Sequence, residues 1–313
     1  MPLITIKEVK EAPLGTSVSF LGLLVNVNKK KKRNDEDYIE ITVQDRTDTI
    51  TFPVWDNFDH LDDDVRETDI VAVSGQVGRY NDIPQIQGPT VRVAPSDAGY
   101  VSDDFVPAYD VPQAVVDDLK RILDEEVDDE RYKALITELI GEIGNQNDPK
   151  WKTFALMPSA VRNHGNKCGG LLLHTYGVIK AGLYAYKTYA EDRFFDYGDV
   201  EPHLNKSRLL FKCLVHDIGK LDEYSYSHGI TRVSGKIDHR TLGIARLKKA
   251  MDAVGSFTNE EYLNIAYAIL CHHGSYGNSE YKPATAEDKV LHAADLIDSQ
   301  IVTHVEGKYV EER

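Results

Sequence analysis

The sequence predicts a multidomain α and β protein, a small N-terminal β-barrel followed by an all-α domain. Three observations carry this prediction. Apolar residues alternate with other types through most of the first hundred positions, the period then becomes helical, and an acidic, turn-forming segment separates the two patterns. At 313 residues the chain also exceeds one ordinary core and fits about two domains.

From Ser17 to Asn28, Leu21, Leu23, Val25 and Val27 alternate with other residues, and Ile39, Ile41 and Val43 repeat the pattern, as half-buried strands do. Thr49 to Val54 and Ile70 to Tyr80 follow, then a shorter run from Ile83 to Gln87, with a short helix expected between Asn57 and Glu67. Five strands with a helix before the fourth is the order of an OB-fold barrel, although another small β-barrel has the same count.

If Leu21, Leu23, Val25 and Val27 face the core, Phe20 faces outward, and the same alternation turns Tyr38 and Tyr80 outward. Aromatics on the outside of barrel strands suit base stacking, or packing against a neighbouring domain. The tract Lys29 to Arg33 is expected in the loop between the first two strands, where Lys30, Lys31, Lys32 and Arg33 either meet phosphates or are simply solvated. Glu40, on the same outward face, works against the phosphate reading.

Pro95, Gly99, Pro107 and Pro112 mark residues 95–112 as a linker, so the expected division is 1–94, linker 95–112, and 113–313. Beyond it, Val115, Leu119, Ile122 and Leu123, then Tyr132, Leu135, Ile136, Leu139 and Ile140, recur at helical spacing. Further helices are expected near 171–190, 206–219, 240–254, 259–272 and 285–304. Cys168, Cys213 and Cys271 form no CxxC pair and read as small apolar fillers.

No apolar run reaches the roughly 18 residues of a membrane span, so no membrane partner is expected. Met1 to Ile6 lack the basic and apolar regions of a secretory signal, and a cytoplasmic location follows as the expectation. A net charge of −15 opposes tight binding of duplex DNA, but not a nuclease that needs positive charge only along its substrate path.

The chemistry concentrates in the C-terminal half. Val215-His216-Asp217-Ile218-Gly219-Lys220 places His and Asp side by side, where neighbouring helix residues about 100° apart can pinch one metal between imidazole and carboxylate. Lys220 then emerges on the same face, within reach of a phosphate oxygen. Upstream lies Gly169-Gly170-Leu171-Leu172-Leu173-His174-Thr175, and downstream Asp238-His239, Cys271-His272-His273-Gly274 and His292-Ala293-Ala294-Asp295. Each histidine alone reads equally well as structural, and His292 as a helix-packing residue, but their order is distinctive.

That order resembles the HD-domain superfamily of metal-dependent phosphohydrolases. The resemblance implies an all-α HD domain in which His174, His216, Asp217 and Asp295 hold one metal. Asp217 would bridge to a second metal held by His239, His272 and His273. Imidazoles mixed with carboxylates suit borderline divalent ions, Mn²⁺ first among them, with Co²⁺, Fe²⁺ and Zn²⁺ as alternatives. Two such ions roughly 3.5–4 Å apart activate water and neutralise charge on a phosphoryl group.

An OB barrel ahead of these motifs, together with His-Asp-Ile-Gly-Lys-Leu-Asp-Glu-Tyr and Asp-His-Arg-Thr-Leu-Gly, resembles the YhaM-type 3′→5′ exoribonucleases. This resemblance implies an exonuclease on single-stranded RNA, or DNA as well, that releases nucleoside 5′-monophosphates, the barrel holding the strand and feeding its 3′ end to the metals. It also implies a substrate-phosphate or proton-transfer role for His164 beside the catalytic Asp217 and Lys220. Leu173 departs from the pattern, standing where those relatives usually carry Glu. The competing readings are a phosphohydrolase of small nucleotides whose OB domain serves assembly, and a non-catalytic nucleic-acid-binding protein. Oligomeric state is left open, a homo-oligomer included.

Overall fold

A computed structural model of the chain describes residues 4–32, 34–56, 69–95, 105–160, 165–192, 204–225, 231–232, 236–277 and 280–305. It divides into two compact units with the seam between Ala108 and Tyr109. Among the described residues no helix is long and apolar enough to cross a membrane.

The first unit begins with a short helix, α1 (Ile6–Glu11), that the apolar pattern does not announce. Its signal is a capping box: Thr5 accepts from the Glu8 amide while the Glu8 carboxylate accepts from the Thr5 amide. Ile6 and Val9 reach the barrel core, and the buried Asp45 accepts the Ile6 amide at 2.7 Å. Five strands follow: β1 (Ser17–Lys31), β2 (Asp37–Gln44), β3 (Thr49–Val54), β4 (Ile70–Tyr80) and β5 (Ile83–Val93). They pair antiparallel in the order β3-β2-β1-β4-β5, and the outer strands β3 and β5 approach each other to close the barrel. The expected helix between 57 and 67 lies outside the described residues.

The strand positions match the sequence reading, but the facing of β1 does not. Val18, Phe20 and Leu24 point into the core, and Phe20 is fully buried there rather than turned outward. The cause is a β-bulge. Leu24 pairs with Val43 and Asn26 with Thr42, so Val25 is an extra residue and the phase of the strand flips across it. Below the bulge the even positions face inward, whereas above it Val27, opposite Ile41, packs against the core. Gly22 fits the inward face because a Cβ there would lie 2.3 Å from a Val43 methyl.

The bulged strand also runs further than expected. Lys29, Lys30 and Lys31 are strand residues opposite Ile39, Tyr38 and Asp37, not loop residues. Arg33 lies outside the described residues. At the other hairpin, Asn81 and Asp82 take φ of 49° and 63°, a two-residue turn that leaves Tyr80 exposed, as expected.

The segment read as a linker is not loose where it is described. Phe105 and Val106 are buried, and the Tyr109 amide donates to the Cys168 carbonyl at 2.9 Å.

Among the described residues the second unit is helical apart from loops and a two-residue ladder, β6 (Tyr224–Ser225) with β7 (Thr231–Arg232). Its helices are α2 (Gln113–Glu126), α3 (Glu130–Ile140), α4 (Pro149–Leu156), α5 (Gly170–Tyr186), α6 (Lys206–Val215), α7 (Lys220–Glu223), α8 (His239–Val254), α9 (Asn259–Cys271) and α10 (Ala286–Val305). Helix α4 is absent from the sequence expectations, yet its Trp151 and Phe154 are fully buried. Helix α5 is apolar on most of its surface and packs against both α6 and α10.

A buried ion network clamps α6 to α10. Lys212, with no exposed surface, lies 3.0 Å from Glu287 and 2.8 Å from Asp288, and Arg208 pairs with Glu287 at 2.7 Å. Removing the cation would leave the buried Asp288 carboxylate without its charged partner, a change that costs about 3–5 kcal/mol. Lys212→Met should therefore lower the urea midpoint of the helical unit, and an unchanged midpoint would refute the clamp. For the barrel, Phe20→Ala should cost about 3–5 kcal/mol as a core truncation. Tyr80→Ala should change stability by less than about 0.5 kcal/mol. Equal small losses would restore the outward assignment of Phe20.

Candidate metal centre

The His216-Asp217 pair does not lie on a helix, as the sequence reading assumed. Helix α6 ends at Val215, and residues 216–219 form a tight turn in which the Ile218 amide donates to Val215 and the Lys220 amide to Asp217. The turn still sets the two side chains together, and Lys220 still reaches the same place, its Nζ on Asp217 Oδ2.

Glycines let the neighbouring elements close in. A Cβ on Gly219 would meet the His239 carbonyl at 1.8 Å and the Gly243 nitrogen at 2.4 Å, so the turn sits directly on the first turn of α8. His239 thereby arrives beside Asp217. His174 comes from α5, His272 and His273 follow the end of α9, and Asp295 projects from α10.

All seven residues expected from the sequence fall into two groups whose candidate ligand atoms lie within 4.8 Å of one another. One is His174, His216 and Asp295; the other is Asp217, His239, His272 and His273. Asp217 stands between them. Its Oδ2 lies 3.5 Å from His174 Nε2 and 3.4 Å from His216 Nε2, and its Oδ1 lies 3.3 Å from His239 Nε2 and 3.7 Å from His272 Nε2.

Four of the five histidines turn Nδ1 away from this centre, toward a carbonyl or carboxylate oxygen. His216 Nδ1 faces the Cys213 carbonyl at 2.8 Å and His272 Nδ1 the Ile269 carbonyl at 2.7 Å. His174 Nδ1 faces Asp298 at 2.7 Å and His239 Nδ1 faces Glu223 at 3.3 Å. Neither Asp298 nor Glu223 figures among the residues expected from the sequence. His292 serves the backbone instead, its Nδ1 2.6 Å from the His272 carbonyl. His164 lies outside the described residues.

Electrostatics follow from burial. Burial and neighbouring histidines hold His272 neutral, well below the usual range, and burial pushes His273 down to about 4. Burial also opposes a charge on His174, but Asp295 and Asp298 outweigh it and lift the group to about 9. Asp217 stays far below the carboxylate range despite burial, because Lys220 and His216 adjoin it. The centre thus keeps its carboxylates ionised and His272 and His273 neutral.

Three buried polar atoms that converge here make no hydrogen bond: Asp217 Oδ1, His239 Nε2 and His272 Nε2. Buried polar atoms normally have partners. Orphaned donors of these types, beside neutral imidazoles, fit a divalent cation.

On the barrel, Tyr38 turns outward and stacks on Trp55, ring centroids 4.6 Å apart. Trp55 is 47% exposed and was not singled out in the sequence, since it lies just past the end of β3, beyond the alternating run. Lys32 Nζ sits 6.0 Å from the Trp55 ring and also pairs with Glu36 and Asp56. Lys30 pairs with Glu40 at 2.6 Å, and Lys31 is exposed.

Comparison with known proteins agrees with both halves. Residues 18–94 match the profile of the OB-fold nucleic acid binding domain, and residues 172–300 that of the HD domain. A protein named 3′-5′ exoribonuclease YhaM from Bacillus licheniformis is 23% identical over 291 residues, 92% of this chain and 86% of the relative. Its namesake from Listeria monocytogenes is 23% identical over 308 residues, 94% of this chain and 89% of the relative. The protein is thus similar along nearly its whole length to the YhaM exoribonucleases, and it joins an N-terminal OB-fold domain to a helical HD domain.

Proposed function

We propose that this protein is a metal-dependent 3′→5′ exonuclease that hydrolyses single-stranded RNA, and DNA as well, to nucleoside 5′-monophosphates. The observation that carries the reading is the pair of His/Asp groups meeting at Asp217, in a chain similar over most of its length to proteins named 3′-5′ exoribonuclease. His174, His216 and Asp295 would hold one divalent ion and His239, His272 and His273 a second, with Asp217 between them and Mn²⁺ the expected metal. Bound there, such ions supply an activated water and charge neutralisation at the scissile phosphate.

The remaining roles belong to the chain itself. Lys220, held on Asp217 with its pKa raised by that carboxylate against the effect of burial, keeps its charge and can meet a phosphate oxygen. On the barrel, the Tyr38–Trp55 stack offers an aromatic face for bases, with Lys32 beside it for the backbone. A second reading, a hydrolase of small nucleotides, draws on Lys30 and Lys32. Both are paired with carboxylates of their own domain, which reduces the positive charge offered to a strand.

Two measurements test the proposal. Asp217→Asn should reduce turnover to background while the far-ultraviolet circular dichroism stays that of the wild type, and near-normal activity in a folded variant would sink the bridging role. The second uses a 5′-labelled RNA, a copy blocked at its 3′ end and a circular copy, alongside a dNTP panel. Shortening ladders from the free 3′ end alone support the exonuclease, and cutting of the circle would show an endonuclease. Hydrolysis confined to the dNTPs would establish the second reading. In the same assay Trp55→Ala should weaken single-strand affinity by about 1–3 kcal/mol.

A further inference from the structure

Each of the two groups contains one histidine backed by a carboxylate and one backed by a main-chain carbonyl. In the first group His174 Nδ1 lies 2.7 Å from Asp298 Oδ2, and His216 Nδ1 lies 2.8 Å from the Cys213 carbonyl. In the second His239 Nδ1 lies 3.3 Å from Glu223 Oε2, and His272 Nδ1 lies 2.7 Å from the Ile269 carbonyl. Asp298 and Glu223 lie outside both candidate ligand sets.

We propose that Asp298 and Glu223 are positioning residues: Asp298, hydrogen-bonded to His174 Nδ1, and Glu223, whose charge lies 3.3 Å from His239 Nδ1, each favour the tautomer with its proton on Nδ1 and Nε2 on the centre, so that each sets the metal affinity of one group. This rests on the metal-centre reading proposed above. A carboxylate behind an imidazole N–H fixes the tautomer, locks the ring and makes the opposite nitrogen a better donor, which a neutral carbonyl does less strongly.

The site is shaped for the Asp298 carboxylate. Gly177 lies three residues after His174 on α5, and a Cβ there would fall 1.9 Å from Asp298 Oδ1 and 2.8 Å from its Cγ. Only a glycine at that point of α5 lets the carboxylate of α10 seat beside the His174 ring. Glu223 is delivered from the other side of the centre by α7, three residues past Lys220, and is itself buried. The two carboxylates are thus supplied independently, one by α10 and one by the short helix after the His-Asp turn.

The test is a Mn²⁺ titration of the full chain by calorimetry and electron paramagnetic resonance, comparing wild type with Asp298→Asn, Glu223→Gln and Gly177→Ala. Wild type should take up two ions. Asp298→Asn should weaken one binding step by about 10–100-fold, Gly177→Ala should weaken that same step, and Glu223→Gln should weaken the other. With Zn²⁺ in place of Mn²⁺ and ¹⁵N-labelled histidine, the His174 Nδ1 proton resonance should move in Asp298→Asn. A merely structural role would lower the melting temperature and leave that resonance in place.

Two ions bound with wild-type affinity by folded Asp298→Asn and Glu223→Gln would overturn the inference and leave the metal centre standing. Failure of the wild type to bind Mn²⁺ at all would instead overturn the metal-centre reading, and this inference with it.

Discussion

The helical unit is organised around a carboxylate that water scarcely reaches. Asp217 is 2% exposed, and an ionised group so placed is expensive unless opposite charge and hydrogen-bond donors surround it. Lys220 supplies the charge on one oxygen, and imidazole nitrogens face both oxygens. That requirement explains the local backbone. Helix α6 stops at Val215 so that a tight turn can aim Asp217 inward, and Gly219 and Gly243 let α8 rest against the turn closely enough for His239 to reach the carboxylate.

The arrangement separates two demands that usually conflict. Metal ligation needs neutral imidazoles, which burial provides at His272 and His273, whereas a dense cluster of acids needs compensating positive charge. Lys212, Arg208, Glu287 and Asp288 satisfy their own charges one layer away, clamping α6 to α10 without drawing on the centre. A chain of net charge −15 can therefore hold neutral imidazoles beside ionised carboxylates in one centre, and the strand-binding role proposed for the barrel rests on aromatic stacking more than on free positive charge.

What was legible in the sequence follows from which physics is local. The seven candidate ligand residues were legible because their order resembles that of the HD superfamily, and an order along the chain survives whatever the helices do. Strand positions were legible because a two-residue period shows itself within one segment. The facing of β1 was not, because the bulge at Val25 inverts the phase midway, and a string of Leu and Val reads equally well from either side. The same longer strand took Lys29, Lys30 and Lys31 out of the expected loop. Asp298 and Glu223 were hidden for another reason: each gains its role only when a histidine distant along the chain, or across a turn, is brought to it. The Thr5 to Glu8 capping box and the exposed Trp55 were present as signals but lie outside any long periodic run.

The central claim is that two cations share Asp217. Anomalous diffraction from crystals grown with Mn²⁺ tests it most directly. The account predicts two peaks roughly 3.5–4 Å apart, one among His174, His216 and Asp295 and the other among His239, His272 and His273, with an Asp217 oxygen on each. A single peak, or peaks that leave Asp217 uncoordinated, would contradict it.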